Sequence, residues 1–228
     1  MASALILAAG RGERLRPLTD GMPKPLLKAG GRTLIEWQID SLVRAGFSDL
    51  VINHAHLGSM IVDAIGDGKR YGAAVRYSPE SPALETGGGI VQALPLLPRE
   101  PFAVLSADIH TEYDYSLLHA RIEHIRADPR RCAAHFVLVA NPPYHPQGDM
   151  GLAGGLVTRA GPKLTYGNIS VFDPAMFAGL ARGTAFRLFP WAYKFVEEGR
   201  VSGELFSGHW DNVGTAEQLA ALDRRLTK

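Results

Sequence analysis

Cysteine is almost absent from this sequence, and long apolar runs are missing. The single cysteine, Cys132, excludes an intrachain disulfide and fits a reducing compartment. No uninterrupted apolar stretch approaches the roughly 18–20 residues that cross a bilayer. The first residues also lack the basic and apolar regions of a signal peptide. We therefore expect a soluble, cytoplasmic protein without a membrane partner.

The sequence also lacks an excess of charge of either sign. Its 228 residues include 24 Lys and Arg against 23 Asp and Glu, a formal net charge of +1. Proteins that bind nucleic acids usually carry a basic surplus, so the composition argues against a nucleic-acid partner. With 46% hydrophobic residues the chain can build a full core, and its length predicts a single domain over residues 1–228. The oligomeric state stays open.

Apolar runs and helical patterns alternate along the first half of the chain. The pattern predicts strands at residues 4–8, 50–53, 73–77 and 102–106. Helices are predicted between them, from a capping box at Thr33 and Glu36 to Gly46, over residues 57–65 and over residues 89–94. Strand–helix–strand repetition with short connections predicts parallel pairing with right-handed crossovers, and hence a layered α/β fold.

The second half has a different pattern. Helices are predicted at residues 115–126, 185–198 and 216–226, and a loop rich in Pro and Gly at residues 141–148. Strands are predicted at residues 135–140 and 201–207 and around Leu156 and Ser170. Since no linker separates the halves, we interpret the second as an elaboration that covers one side of the same cleft.

Glycines and basic residues are concentrated directly after the first predicted strand. Gly10 and Gly12 allow the backbone to turn and to expose N–H groups to an anion. Residues 1–32 contain six Lys and Arg against two acidic residues, so six minus two gives a local charge of +4. This excess in a nearly neutral protein predicts a site for a polyanion such as a triphosphate.

Two common phosphate-binding motifs do not account for this turn. The P-loop pattern G-x-x-x-x-G-K-[ST] occurs nowhere in the chain. The dinucleotide-binding fingerprint requires a third glycine or alanine, and Leu15 stands at that position.

The string from Leu7 to Leu26 resembles the signature of the sugar-1-phosphate nucleotidylyltransferases, L-A-A-G-x-G-x-R-[LM]-x-P-L-T-x-x-x-P-K-P-L, and every fixed position is filled. Further segments resemble a narrower branch, the bacterial N-acetylmuramate-1-phosphate uridylyltransferases of cell-wall recycling. These segments are residues 53–55, 77–80, 84–89, 141–142 and 148–149. The resemblance covers nearly the whole chain.

The resemblance implies a fold and indicates which half of the chain binds each substrate. The implied fold is a Rossmann-like three-layer α/β/α nucleotidyltransferase fold with a mixed, mainly parallel central sheet. Residues 1–112 would form the nucleotide-binding half and residues 113–228 the sugar-binding half. The implied substrates are a nucleoside triphosphate, with UTP favoured, and a sugar-1-phosphate, with N-acetylmuramic acid 1-phosphate favoured.

The implied reaction joins two polyanions. The phosphate of the sugar attacks the α-phosphorus of the triphosphate, and pyrophosphate leaves with formation of a nucleotide-diphospho-sugar. Such a reaction needs alignment and positive charge rather than a nucleophilic side chain. By the family pattern, we expect Arg16 to bind the β- and γ-phosphates and Lys24 to bind the α-phosphate, both as catalytic residues.

The expected cofactor is Mg²⁺, which prefers oxygen ligands and bridges phosphates through one or two carboxylates. Asp108 follows the strand predicted at residues 102–106, where ligands bind in open α/β sheets, and is expected to be catalytic and a metal ligand. The family carries an acidic residue directly before V-G-T, whereas this chain has Asn212. We expect Asn212 to be a weak second ligand, and the neighbouring Asp211 is the alternative.

The remaining expected contacts fall into two groups. The nucleotide is expected to contact backbone and side-chain groups of Ala8, Ala9, Gly10, Arg11, Gly12, Glu80, Glu85, Thr86 and Gly87. The sugar is expected to accept or donate hydrogen bonds at Asn141, Asp149, Asn168 and Glu204.

Two other functions remain open from the sequence. The first is transfer to a different sugar-1-phosphate from UTP, dTTP, GTP or CTP. The second is nucleotide-sugar binding without turnover, which the neutral Asn212 allows. A glycosyltransferase of the GT-A type normally needs D-x-D at its metal site, and the segment Asp108-Ile109-His110 lacks this pattern.

Overall fold

The computed structural model describes residues 2–227, which form one large sheet, two small sheets and seven α-helices. The strands are β1 Ser3–Leu7, β2 Lys28–Ala29, β3 Arg32–Thr33, β4 Asp49–His54, β5 Ala74–Pro79, β6 Phe102–Ser106, β7 Ile109–Thr111, β8 Ala134–Val139, β9 Gly151–Ala153, β10 Leu156–Thr158, β11 Thr165–Phe172, β12 Val201–Phe206 and β13 Trp210–Asn212. The α-helices are α1 Leu34–Arg44, α2 Gly58–Ile65, α3 Glu85–Ala93, α4 Leu117–Ala127, α5 Leu188–Trp191, α6 Tyr193–Glu197 and α7 Ala216–Leu226.

The large sheet has nine strands in the order β5-β4-β1-β6-β11-β8-β12-β10-β9. β5, β4, β1 and β6 come from the first 112 residues and pair with one another in parallel, because a helix connects each strand to the next. β11 runs antiparallel between β6 and β8, and β12 lies parallel to β8. The two parts of the chain therefore supply adjacent parts of one mixed sheet.

Helices cover both faces of this sheet. Along β1, Ala4 and Ile6 pack into one apolar core with residues of α1, α2 and α4, whereas Leu5 packs into the other core with residues of α3, α5 and α6. The alternation follows from the two-residue period of a strand, which directs successive side chains to opposite faces. Because both faces are buried, the strand reads as a continuous apolar run. The expected three-layer α/β/α fold is confirmed.

Two predicted helices differ from the structure. The helix predicted from Gly89 begins four residues earlier, at Glu85, because a run of three glycines hides its first turn from sequence patterns. The continuous helix predicted over residues 185–198 is wrong. The chain forms α5 and α6 there, and Phe189 has non-helical angles, φ −106° and ψ 136°. The cause is Pro190, which has no N–H and disfavours the helical conformation at the residue before it.

A cluster of polar side chains joins β8, β12 and α4. Glu204 accepts hydrogen bonds from the Tyr113 hydroxyl and from Arg121, the latter at 2.6 Å. His135 is 2% exposed and lies between two partners, with Nε2 3.3 Å from Glu204 and Nδ1 2.9 Å from Ser202. The cluster fixes the helix α4 to the strand β12, which has few apolar side chains on that face.

The cluster makes stability depend on pH. Hydrogen bonds from His135 and then from Tyr113 and Arg121 lower the pKa of Glu204 from its ordinary 4.5 to about 2. Burial lowers the pKa of His135 below its ordinary 6.5, because the charged imidazolium is poorly solvated there. In both cases the unfolded chain binds more protons than the folded protein, so each contribution to stability is lost as the pH falls.

In the wild type, protonation of residue 204 lowers the free energy of unfolding as the pH falls from 4.5 to 2. We predict that Glu204→Gln removes this part of the pH dependence. In that range the unfolded wild-type chain takes up a proton at residue 204 before the folded protein does, whereas glutamine takes up none. Urea unfolding at a series of pH values measures the free energy of unfolding. Glu123→Gln, at a side chain that is 64% exposed, is the control and keeps the wild-type dependence. An unchanged slope in Glu204→Gln contradicts the prediction.

Candidate functional site

A cavity of about 680 Å³ lies at the carboxyl ends of the parallel strands. Its wall includes Leu7 at the end of β1, Asn53 near the end of β4, Glu80 directly after β5 and Ser106 at the end of β6. In an open α/β sheet this edge is the usual place for a ligand. The predicted residues that line the cavity are Ala8, Ala9, Gly10, Arg11, Gly12, Lys24, Glu80, Glu85, Thr86 and Asp108.

The turn after β1 is held by contacts of its own. Gly12 has a left-handed backbone with φ 69°, and a Cβ added there would lie 3.0 Å from the Thr19 side chain and 3.1 Å from Lys24 Cβ. The Thr19 hydroxyl donates to the Gly12 carbonyl at 2.9 Å, and Arg11 donates to the Thr19 carbonyl at 2.8 Å. Glycine is required at position 12 because a side chain would be strained by the backbone and crowded by both neighbours.

Lys24 and Asp108 form an ion pair in the cavity wall. The side chains are 11% and 25% exposed, so both charges are largely removed from water. Residues 84 positions apart are brought together because Lys24 follows the glycine turn and Asp108 follows β6. The pair places one cation and one carboxylate at the same point of the cavity.

The structure does not bring Arg16 into the cavity. Arg16 is 58% exposed, and its Nε donates to Asp20 at 2.6 Å outside the cavity wall. Arg14 lines the cavity instead and makes no hydrogen bond or ion pair with any other residue in the range 2–227. The signature carried the signal for Arg14, because its fixed arginine falls at position 14 and its variable position at 16.

A small two-stranded sheet brings the end of the chain to Asp108. β13 pairs antiparallel with β7, so that Asn212 lies opposite Ile109, and the Val213 N–H donates to the Asp108 carbonyl at 2.9 Å. Asn212 Oδ1 is buried and has no hydrogen-bond partner among residues 2–227. Asn212 is not among the residues that line the cavity, but a buried amide oxygen without a partner is the kind of atom that a bound cation can satisfy.

Asp211 is directed elsewhere. Its carboxylate pairs with Arg225 of α7, which also contacts His110 Nδ1 at 3.2 Å. Because successive side chains of a strand point to opposite faces, Asp211 and Asn212 cannot both point towards the same ligand from an unbulged β13.

The turn before α3 is tied to the strands by a pair of buried polar side chains. Asn53 accepts a hydrogen bond from the Ala8 N–H and donates one to Glu80, each at 2.6 Å. Glu80 also accepts from the Leu84 N–H at 2.8 Å, and burial raises the pKa of its carboxyl group. Sequence reasoning missed Asn53 as a site residue. Its signals were its place in the segment 53–55, which carries part of the family resemblance, and its position at the carboxyl end of an apolar strand.

Gly87 supports the cavity without lining it. Its N–H donates to the Phe186 carbonyl at 3.0 Å, and an added Cβ would lie 2.3 Å from the Phe186 ring. The segment around Phe186 therefore packs directly against the first turn of α3.

The four residues expected at the sugar do not line the cavity. Asn141 accepts from the Thr165 hydroxyl at 2.9 Å, and Asp149 accepts from the Tyr166 N–H at 2.8 Å, so both brace the loop between β8 and β9. Asn168 has φ 56° at the irregularity of β11, and Glu204 is engaged in the cluster with His135. Sugar binding by these residues stays a prediction.

Comparison with known proteins shows the family of this chain. Residues 3–146 match the family model of the nucleotidyl transferases. The chain is 45% identical over 221 residues to an N-acetylmuramate alpha-1-phosphate uridylyltransferase of Neisseria meningitidis serogroup B, covering 95% of this chain and 94% of that protein. A protein of the same description from Caulobacter vibrioides is 33% identical, covering 99% of this chain and 97% of that protein.

Structural comparison supports the fold independently. A protein described as a putative glucose-1-phosphate thymidylyltransferase from Bacillus anthracis superposes with a TM-score of 0.86 at 18% identity, covering 100% of this chain and 96% of that one. No helix within residues 2–227 is both long and apolar enough to cross a membrane. On the family match and the full-length relatives, the chain belongs to the nucleotidyl transferase family and is a sugar-1-phosphate nucleotidyltransferase.

Proposed function

We propose that this enzyme is a metal-dependent uridylyltransferase that joins UTP to N-acetylmuramic acid 1-phosphate in peptidoglycan recycling in the cytoplasm. The products are pyrophosphate and the UDP-linked sugar. The observation that carries the proposal is the cavity at the strand ends, whose wall contains Lys24, the Asp108 carboxylate, and Arg14, which has no ion-pair partner among the described residues. The choice of substrates rests on the two uridylyltransferase relatives, which the chain matches over nearly its full length.

The reaction requires no side chain to form a covalent bond. An oxygen of the sugar phosphate attacks the α-phosphorus, and the bond from the α-phosphorus to the bridging oxygen breaks as pyrophosphate takes the electron pair. Lys24 neutralises charge on the α-phosphate, and Arg14 binds the leaving β- and γ-phosphates. Cations that are already in position stabilise the developing charge without rearranging during the reaction.

The residues present fit a magnesium ion. Asp108 would supply a carboxylate oxygen, and Asn212 would supply the buried Oδ1 that has no partner among the described residues. Mg²⁺ prefers oxygen ligands of this kind, and when bound it would supply positive charge that stabilises the phosphates during the reaction. In the structure Lys24 neutralises the charge of Asp108, so the residue that would hold the ion and the lysine that would bind the α-phosphate are in direct contact.

A screen of pyrophosphate release tests the proposed function. UTP, dTTP, CTP and GTP are each combined with N-acetylmuramic acid 1-phosphate, N-acetylglucosamine 1-phosphate, glucose 1-phosphate and mannose 1-phosphate. We expect the largest kcat/KM for UTP with N-acetylmuramic acid 1-phosphate. A larger value for another pair replaces the proposed substrates. Tight UTP binding in isothermal titration without turnover on any sugar phosphate supports the alternative function, nucleotide-sugar binding without catalysis.

We predict that Arg14→Ala lowers turnover about 10²-fold, equivalent to ~3 kcal/mol, because one charge clamp on the triphosphate is lost. Arg16→Ala is the matched control, since it removes the same charge two residues away from a side chain that points outside the cavity. Pyrophosphate release at saturating UTP measures both. If Arg16→Ala lowers turnover as much as Arg14→Ala does, the prediction is contradicted and Arg16 has a catalytic role.

We also predict that EDTA abolishes turnover and that added Mg²⁺ restores it. In addition, we expect Asn212→Asp to lower the half-saturating Mg²⁺ concentration about tenfold, because a charged ligand binds the ion more tightly. Asp211→Asn is the control, because Asp211 pairs with Arg225. Activity is measured over a Mg²⁺ titration for each protein. If Asp211→Asn changes the metal dependence and Asn212→Asp does not, Asp211 is the second ligand.

A further inference from the structure

A chain of short buried hydrogen bonds connects the two turns that flank the cavity. Asn53 is 2% exposed and Glu80 is 6% exposed. The Ala8 N–H donates to Asn53 Oδ1 and Asn53 Nδ2 donates to Glu80 Oε1, both at 2.6 Å, while the Leu84 N–H donates to Glu80 Oε2 at 2.8 Å. The turn after β1 is therefore linked to the residue that precedes α3.

The direction of every bond in this chain is fixed by chemistry. The backbone N–H groups of Ala8 and Leu84 can only donate, so the side chains that face them must present oxygen. Asn53 consequently turns its NH₂ group towards Glu80, and Glu80 presents an acceptor oxygen on each side. Both Glu80 oxygens are engaged inside the protein.

Helix α3 lies directly against this pair. A Cβ added to Gly89 would be 2.6 Å from Asn53 Nδ2 and 2.7 Å from Glu80 Oε1, so the helix approaches as closely as a glycine allows. On the other side, a Cβ on Gly88 would be 2.4 Å from the Thr184 carbonyl. The first turn of α3 is thus confined between the pair and the segment that contains Thr184.

We propose that Asn53 and Glu80 form a positioning pair that sets the separation of the turn at residues 8–12 and the turn at residues 85–87, between which the nucleotide base binds. The inference rests on the proposed function, since it assumes that a nucleoside triphosphate occupies this cavity. In this role Glu80 acts through the backbone of Leu84 and α3 rather than by reading the base.

Exchanging the amide and the carboxylate between positions 53 and 80 tests the inference. Asn53→Asp alone places a carboxylate oxygen against Glu80, and Glu80→Gln alone leaves an NH₂ group facing another donor. In the double variant the carboxylate introduced at position 53 accepts from the Ala8 N–H and from the new glutamine NH₂, while the glutamine oxygen accepts from the Leu84 N–H. Each single variant therefore has one mismatched buried contact, and the double variant has none.

Isothermal titration of UTP into the wild type and the three variants provides the measurement, with inorganic tripolyphosphate as a probe that has phosphates but no base. We expect each single variant to raise the Kd of UTP about tenfold, and the double variant to return it to within about threefold of the wild type. The Kd of tripolyphosphate stays unchanged in all four proteins. In steady-state assays the KM for UTP rises in the single variants while kcat at saturating UTP stays near the wild-type value.

Thermal unfolding of each protein confirms that it is folded, and Glu100→Gln, at an exposed carboxylate outside the cavity wall, is the control for loss of one charge. If Asn53→Asp does not fold, Glu80→Gln and the double variant alone carry the comparison. The inference is overturned if the double variant binds UTP no better than Glu80→Gln, or if the double variant changes the preference among UTP, CTP and GTP, since Glu80 would then read the base. A wild-type protein that binds no nucleoside triphosphate overturns the proposed function together with this inference.

Discussion

The site depends on the pairing of Lys24 with Asp108. Each charge would be costly in a wall that is largely closed to water, and removing either one would leave the other uncompensated. Together they are neutral, so the folded protein can hold a cation and a carboxylate at one point before any substrate is present. The same ion pair also joins the segment after the glycine turn to the segment after β6. The contact that balances the two charges therefore also holds two parts of the cavity wall together.

The second part of the chain completes the site through a short sheet rather than through the large one. β13 pairs with β7 directly after Asp108, and α7 secures the outer face of this hairpin through the ion pair of Arg225 with Asp211. That ion pair gives Asp211 a structural partner and leaves Asn212 on the other face with an oxygen that has no partner among the described residues. The position of residues 210–212 relative to Asp108 is therefore set by the register of the three residue pairs between β13 and β7.

Local patterns were sufficient to predict the parts of the protein that local physics determines. The apolar run of β1, the capping box at Thr33 and the glycine turn each depend on a few neighbouring residues, and each is present as predicted. Long-range contacts were not accessible in the same way. Arg14 lines the cavity whereas Arg16, two positions later, does not, and the buried hydrogen bond between Asn53 and Glu80 joins residues that are 27 positions apart.

Under the proposed function, an amide rather than a carboxylate at position 212 would affect both the charge of the site and its affinity for a metal ion. A carboxylate at position 212 would add a negative charge on β13, the strand that pairs with β7 directly after Asp108, whose charge Lys24 already balances. Binding of a divalent cation would become stronger, whereas the repulsion felt by an approaching triphosphate would increase until that cation was bound. Under the proposed function, Asn212 would leave the pair of Lys24 and Asp108 balanced and Arg14 available to attract the phosphates, so the nucleotide and the metal ion would be favoured as joint ligands over the metal ion alone.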